Sequence, residues 1–223
     1  HQQPGYRIVF LSLKGPEREP GNLSADEMRR LAELAERYSH GLLRTTQRQN
    51  LLLPYVPEHE LANLWRELRP LGVAGANIGS ATDTIACPGA DYCSLANTQT
   101  QTPARVLRER LDRLQEHLDL RDISIYVSGC MNACAHHHVA NIGLLGVDKR
   151  GEPHFQITVG GKAGGEPRFG GVLGPAVPLE GVDEAIEELL RVYARHRQPD
   201  ESFTDTLDRI GLEPFKEAVY PCP

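Results

Sequence analysis

The sequence predicts an α+β fold in two parts. The first is a β-α-β-α unit over residues 1–76, and the second, over 77–223, is an α/β part built on a small mixed sheet. Three observations carry this. The spacing of apolar residues switches repeatedly between alternating and helical along the chain. Two strand-like runs early on are each followed by an amphipathic helix. Three further strand-like runs then precede two late helical segments, with a glycine-rich stretch between them.

The elements follow in order. Tyr6–Leu13, YRIVFLSL, is rich in β-formers and reads as a strand. KGPEREPGN is turn material. Ser24 then opens a helix with Glu27 three residues on, a capping box, and Met28, Leu31, Ala32, Leu34 and Ala35 recur at helical spacing. Gly41–Val56, GLLRTTQRQNLLLPYV, reads as one strand with a polar, amide-rich middle. Pro57 starts a second helix, which ends at Pro70 and Gly72 and carries Trp65 on its core side. This β-α-β-α order is that of a ferredoxin-like half. GANIGSATDTIAC is loop-like and marks the boundary between the parts. SLANTQTQTPARVLRERLDRLQEHLDL starts loosely and becomes a helix. ISIYVSG, VANIGLLGV and HFQITVGG are strands. GKAGGEPRFGGVLG is a loop in which Lys162 or Arg168 could meet a carboxylate. EGVDEAIEELLRVYARHRQ and ESFTDTLDRIG are helices.

Bulk composition narrows the function. A net charge of −6 with 24% charged residues offers no basic face for nucleic acid. No apolar run approaches the ~20 residues of a membrane span, and no signal peptide is visible, so no membrane is implied and the cytoplasm is the expected location. Five cysteines in such a chain point to metal or redox chemistry rather than a disulfide framework. Cys222 stands alone near the end and reads as a free thiol in a mobile tail.

The other four form two pairs, Cys87 and Cys93 (C-x5-C) and Cys130 and Cys134 (C-x3-C). Four thiolates can hold a structural zinc, whose knuckles use short spacings. The x5 gap is wide for such a knuckle and suits the larger 4Fe–4S cluster. Spacing leaves both readings open. His136, His137 and His138 follow Cys134 at once. In an extended segment their side chains alternate between faces and cannot converge on one ion, so they read as packing or surface residues.

The segments ACPGADYC, VSGCMNAC, VANIGLLG and TVGGKAGG resemble those of the sirohaem and 4Fe–4S reductases of sulfite and nitrite. RTTQRQNLLL resembles the polar strand of that family's ferredoxin-like half, and RIGLEPFKEAVY its C-terminal end. The resemblance covers nearly the whole chain. It is greatest to the haemoprotein subunit of assimilatory sulfite reductases, with ferredoxin-dependent nitrite reductases next.

The resemblance implies a ferredoxin-like half-domain followed by a domain that binds sirohaem and a 4Fe–4S cluster. All four cysteines would be cluster ligands, and Cys134 would also bridge to the haem iron. Arg44, Thr46, Gln49, Asn50 and Asn132 would meet the cofactor, whose many carboxylates call for guanidinium and amide donors. The implied reaction is six-electron reduction of sulfite, with nitrite as the alternative. Electrons would come from ferredoxin or a flavoprotein. Family members usually carry two such halves. This chain matches the second, and its start at His1 favours a half cut from a longer protein. The missing N-terminal half, or a second subunit, would supply the Arg and Lys cluster that binds the anionic substrate, so the chain alone is expected to be weakly active. Two rival readings are a cluster-only electron-transfer domain and a zinc-stabilised structural domain.

Overall fold

The computed structural model describes residues 1–15 and 18–221, in two compact units, His1–Ile78 and Gly79–Pro223. Pro16 and Glu17, inside the expected turn, and the expected free thiol Cys222 lie outside the described residues.

The first unit comprises β1 (Tyr6–Leu11), α1 (Ala25–Tyr38), β2 (Arg44–Thr45), β3 (Leu51–Pro57) and α2 (Leu61–Leu68). Its strands lie in the order β1-β3-β2, all antiparallel. Leu11, Leu53 and Val56 bury one face of this sheet in a core with Leu31 and Leu34 of α1 and Leu64 and Leu68 of α2. The start of α1 is the capping box: the Ser24 hydroxyl accepts from the Glu27 N–H, and the Glu27 carboxylate accepts from the Ser24 N–H.

Two expectations change here. Gly41–Val56 is a hairpin, not one strand. The Thr46 hydroxyl accepts from the Arg48 and Asn50 N–H groups, Gln49 takes a left-handed backbone (φ 53), and the chain reverses. The polar middle of the run is thus a turn, because its side chains serve the local backbone. Trp65 is 51% exposed rather than core, with the Arg69 guanidinium over its ring.

The second unit contains β4 (Ile85–Ala86), α3 (Gly89–Tyr92), α4 (Gln101–Gln115), β5 (Ile125–Ser128), β6 (Ile142–Lys149) and β7 (Glu152–Val159). Then follow β8 (Gly171–Val172), β9 (Val177–Pro178), α5 (Val182–His196), α6 (Phe203–Ile210) and α7 (Glu213–Val219). The sheet order is β4-β5-β6-β7-β8, with β9 also paired to β7. The β4–β5 and β5–β6 pairs are parallel and the β6–β7 hairpin antiparallel, so the sheet is mixed, as expected.

Alternation gives this sheet two different faces. Ala86, Ile125, Val127, Ile142, Leu144, Phe155, Ile157 and Val159 point into the main core, against Leu107 and Leu111 of α4 and Ile186, Leu189 and Leu190 of α5. Ile85, Cys87 and Tyr126 point the other way, into a small cluster with Ala135 and Ala140. The segment expected to be a loop, Gly75–Cys87, therefore contains a strand, β4. Two residues are too short to show alternation. The CPGADYC stretch likewise holds the single turn α3, and the chain end folds as α7. No helix among the described residues is long and apolar enough to cross a membrane.

Candidate metal centre

The parallel ladder brings the two cysteine loops together. Ile85 pairs with Tyr126 and Ala86 with Val127. The Cys87 N–H then donates to the Val127 carbonyl (3.0 Å), so the ladder runs one residue past β4 and sets Cys87 beside Ser128. Cys130 follows two residues later. The first cysteine of each pair thus leaves the C-terminal end of one of two neighbouring parallel strands, the edge where open α/β sheets collect ligands.

Each pair is closed locally. α3 carries the chain from Cys87 to Cys93, whose N–H donates to the Gly89 carbonyl at 2.8 Å. Between Cys130 and Cys134 the Ala133 N–H donates to the Cys130 carbonyl (3.2 Å), and the His136 N–H donates to the Ala133 carbonyl (2.7 Å). Ala133 and His136 are both left-handed (φ 54 and 55), a conformation non-glycine residues seldom take. Strain of this kind clusters at ligand sites.

A third segment locks the loops to each other. The Asn97 and Thr98 N–H groups donate to the Gly129 carbonyl (2.8 and 3.3 Å), and the Ala90 N–H donates to the Thr98 carbonyl (3.0 Å). The approach is so close that two glycines are obligatory. A Cβ on Gly129 would lie 2.8 Å from the Thr98 carbonyl oxygen, and one on Gly146 would lie 2.0 Å from Thr98 Cγ2. The Cys87 carbonyl accepts from the Thr100 hydroxyl and from Gln101 Nε2 (2.8 Å).

The four thiols are free, with Cys87 and Cys130 buried, Cys93 half-buried and Cys134 exposed. Around them Tyr92, Leu95 and Met131 stand 68%, 70% and 83% exposed, an apolar rim that water does not favour. The Gly129 N–H donates to Cys87 Sγ (3.1 Å), a bond suited to a thiolate ligand. Among the described residues, no three His, Cys, Asp or Glu side chains converge to hold a single metal ion. Buried polar atoms at this edge also await partners: Gln101 Oε1, Ser128 Oγ and His137 Nδ1 make no hydrogen bond. Two cysteine loops joined at neighbouring strand ends, a backbone donor on one sulfur, and unpartnered buried atoms beside them fit a polynuclear cluster.

The histidines form a short 3₁₀ turn, His137–Val139, not an extended segment. His136 and His138 are exposed, while His137 is 1% exposed. Burial, and then neighbouring His138, push the His137 pKa down to about 4, so the ring is neutral. Its ring meets His138 edge-on at 4.0 Å, and His138 meets Phe169 at 5.8 Å. The Gly170 N–H donates to the His138 carbonyl (2.7 Å), which ties the glycine-rich loop to this turn. In that loop Lys162 is exposed, whereas Arg168 is committed to the Gly160 carbonyl (2.7 Å) and Asp208 (2.8 Å).

Asn132 is exposed between Cys130 and Cys134. Arg44, Thr46, Gln49 and Asn50 belong to the first unit. Arg44 is exposed, Thr46 and Gln49 half-buried. Asn50 is 3% exposed, and its side-chain oxygen accepts from the Leu13 N–H and from Lys14 Nζ, both at 3.0 Å. Lys14 also donates to the Arg48 and Gln49 carbonyls. Thr46 and Asn50 thus have structural employment in the turn that sequence reading missed. No local pattern links Lys14 to a turn more than thirty residues away.

Comparison with known proteins places these features in a family. The family model for the nitrite and sulphite reductase 4Fe-4S domain matches residues 79–221. That for the nitrite/sulfite reductase ferredoxin-like half domain matches residues 1–71. The chain belongs to the nitrite and sulfite reductase family, an oxidoreductase family whose cofactors are a 4Fe–4S cluster and sirohaem. An assimilatory ferredoxin-dependent nitrite reductase of Haloferax mediterranei is 34% identical over 206 residues, 90% of this chain and 35% of that protein. Sulfite reductase [ferredoxin] 1 of Mycolicibacterium paratuberculosis is 29% identical over 88% of this chain and 37% of its own length. The solved structure of the NirA protein of Mycobacterium tuberculosis superposes with a TM-score of 0.80 at 26% identity, covering 96% of this chain and 40% of that one. The chain spans about a third of the length of the curated relatives it matches.

Proposed function

We propose that the chain is the cluster-bearing part of a reductase that converts sulfite to sulfide in six electrons. The observation that carries this reading is the pairing of the Cys87 and Cys130 loops at adjacent strand ends, with exposed Cys134 at the rim. Cys87, Cys93, Cys130 and Cys134 would hold the 4Fe–4S cluster. When bound, cluster and sirohaem supply sequential electrons to the substrate. Cys134, the exposed thiol of the four, would be the one that also meets the sirohaem. Buried Cys87 and Cys130 would hold the inner side, where closed packing excludes water. Asn132 beside Cys134, and exposed Arg44 in the first unit, are the proposed donors to the macrocycle's carboxylates. Thr46, Gln49 and Asn50 would act behind Arg44 by fixing the turn after β2. The electron donor is a ferredoxin or a flavoprotein. The remainder of the reductase, as a preceding half or a second subunit, supplies the basic groups that bind the anion.

Nitrite is the second reading, favoured by the Haloferax relative. The test starts with anaerobic reconstitution, iron and sulfide analysis, and a visible spectrum. Four irons per chain and a sirohaem Soret band are expected. One zinc and no colour would overturn the cofactor assignment. Turnover with reduced viologen is then compared on sulfite and nitrite in the protein completed by its missing part. Turnover on nitrite alone rejects the sulfite reading.

A further inference from the structure

Ser128 is the last residue of β5 and is fully buried. Its hydroxyl makes no hydrogen bond. A buried hydroxyl without a partner is expensive, and replacing it with a methyl group would ordinarily be harmless or stabilising. Its place in the sheet is defined by its neighbours. Val127 points into the main core, so Ser128 points to the opposite face, the face of Ile85, Tyr126 and Cys87. The parallel register, extended by the Cys87 N–H bond to Val127, sets Ser128 directly beside Cys87, one strand spacing away (roughly 5 Å). Yet the hydroxyl does not bond the Cys87 sulfur, which accepts from the Gly129 N–H instead. Ser128 therefore faces whatever Cys87 holds, from the next strand. The sheet closes the other side, since Ser128 pairs with half-buried Leu145 of β6.

We propose, resting on the cluster-bearing reading above, that the Ser128 hydroxyl donates a hydrogen bond to a sulfur of the 4Fe–4S cluster and so sets its reduction potential. Reduction adds negative charge to the cluster sulfurs. A donor aimed at them stabilises the reduced form more than the oxidised form and raises the potential. No proton or bond is transferred. Ser128 tunes the electron acceptor and leaves its ligands unchanged.

The test compares wild type with Ser128→Ala in the reconstituted protein. At a fixed potential, Ser128→Ala should lower the ratio of reduced to oxidised cluster by about threefold to tenfold, the larger change being ~59 mV for a one-electron couple. After exchange into D2O, pulsed electron–nuclear spectroscopy of the reduced cluster should show an exchangeable deuteron coupling that Ser128→Ala lacks. In the cluster-free protein the melting temperature should not fall, because no bond is lost there. Ser124→Ala, which removes a hydroxyl that donates to Asn141 Oδ1 (3.1 Å) just ahead of the same strand, should lower the melting temperature and leave the potential in place. If Ser128→Ala fails to retain the cluster, Ser128→Thr, which keeps the hydroxyl, should restore cluster and potential together, and failure to do so rejects the proposal. An unchanged potential with the deuteron coupling retained rejects it while the cluster reading stands. A wild-type protein that binds no cluster rejects the cluster reading itself.

Discussion

The four cysteines occupy unlike surroundings, and substitutions at them should separate folding from iron binding. Cys87 is buried and its sulfur accepts the Gly129 N–H. In the cluster-free protein Cys87→Ala should cost about 1–2 kcal/mol by leaving that donor without an acceptor. Cys134 is exposed, so Cys134→Ala should stay within about 0.5 kcal/mol. Both should lose iron on reconstitution, which urea melts and iron analysis of the same preparations would show. His137 carries the acid sensitivity of this region. Folded, it titrates near pH 4, against the usual 6.5. Between those values the unfolded chain binds more protons, so stability rises with pH across that window and is lost as pH falls through it. His137→Phe should remove up to ~1.4 kcal/mol per pH unit of that slope in cluster-free protein, read from urea midpoints across the window. At this scale the two cysteine pairs stand out in the sequence by their spacing, and the structure brings their loops side by side. Ser128 and Gln101 do not stand out. A serine at a strand end and a glutamine at a helix start carry no signal until the sheet register shows what they face.

The elements that were easiest to read announce themselves locally. The capping box and apolar spacing of α1 and the periodicity of α5 need no tertiary context. β4 could not be read this way. It exists because β5 lies beside it, and its two residues show no period of their own. The polar run before β3 misled for a related reason, since its hydroxyl and amide groups bond to the chain's own turn and to Lys14. The loops that carry the cysteines depend on contacts between elements. Gly146 of β6 lets Thr98 approach, and Thr98 holds the Gly129 carbonyl. Gly146→Ala should cost about 1–3 kcal/mol from overpacking, since its new methyl would meet both the Thr98 side chain and the Gly129 backbone. Iron retention should fall with it, whereas Gly151→Ala at the open β6–β7 turn, where a Cβ meets nothing but φ is +88°, should destabilise without releasing iron.

At the scale of the whole chain, a small α/β part ahead of a larger mixed-sheet part was legible from the change in apolar pattern, though the first part has one strand more than the pattern suggests. The pairing of β4 with β5 that unites the cysteine loops was not, because sequence spacing does not reveal strand neighbours. The chain covers about a third of its curated relatives, and turnover is proposed to need the rest. Loaded with cofactors but alone, it should reduce sulfite about 10²-fold or more slowly than when completed, for want of the cationic groups that stabilise the reacting anion. Equal rates would reject the division of labour. The shortness of β4 also bears on how firmly the two cysteine loops are held together. Two paired residues and the Cys87 N–H hold it to β5, a ladder so brief that it should breathe ahead of the rest of the sheet. Each opening loosens the first cysteine pair from the second, which the segment 97–101 still ties to it. Iron held by both pairs, as proposed, would act as a staple across the gap. Amide exchange at Cys87 should therefore be fast in the metal-free chain and slow sharply on loading, while exchange deep in the β6–β7 hairpin barely changes.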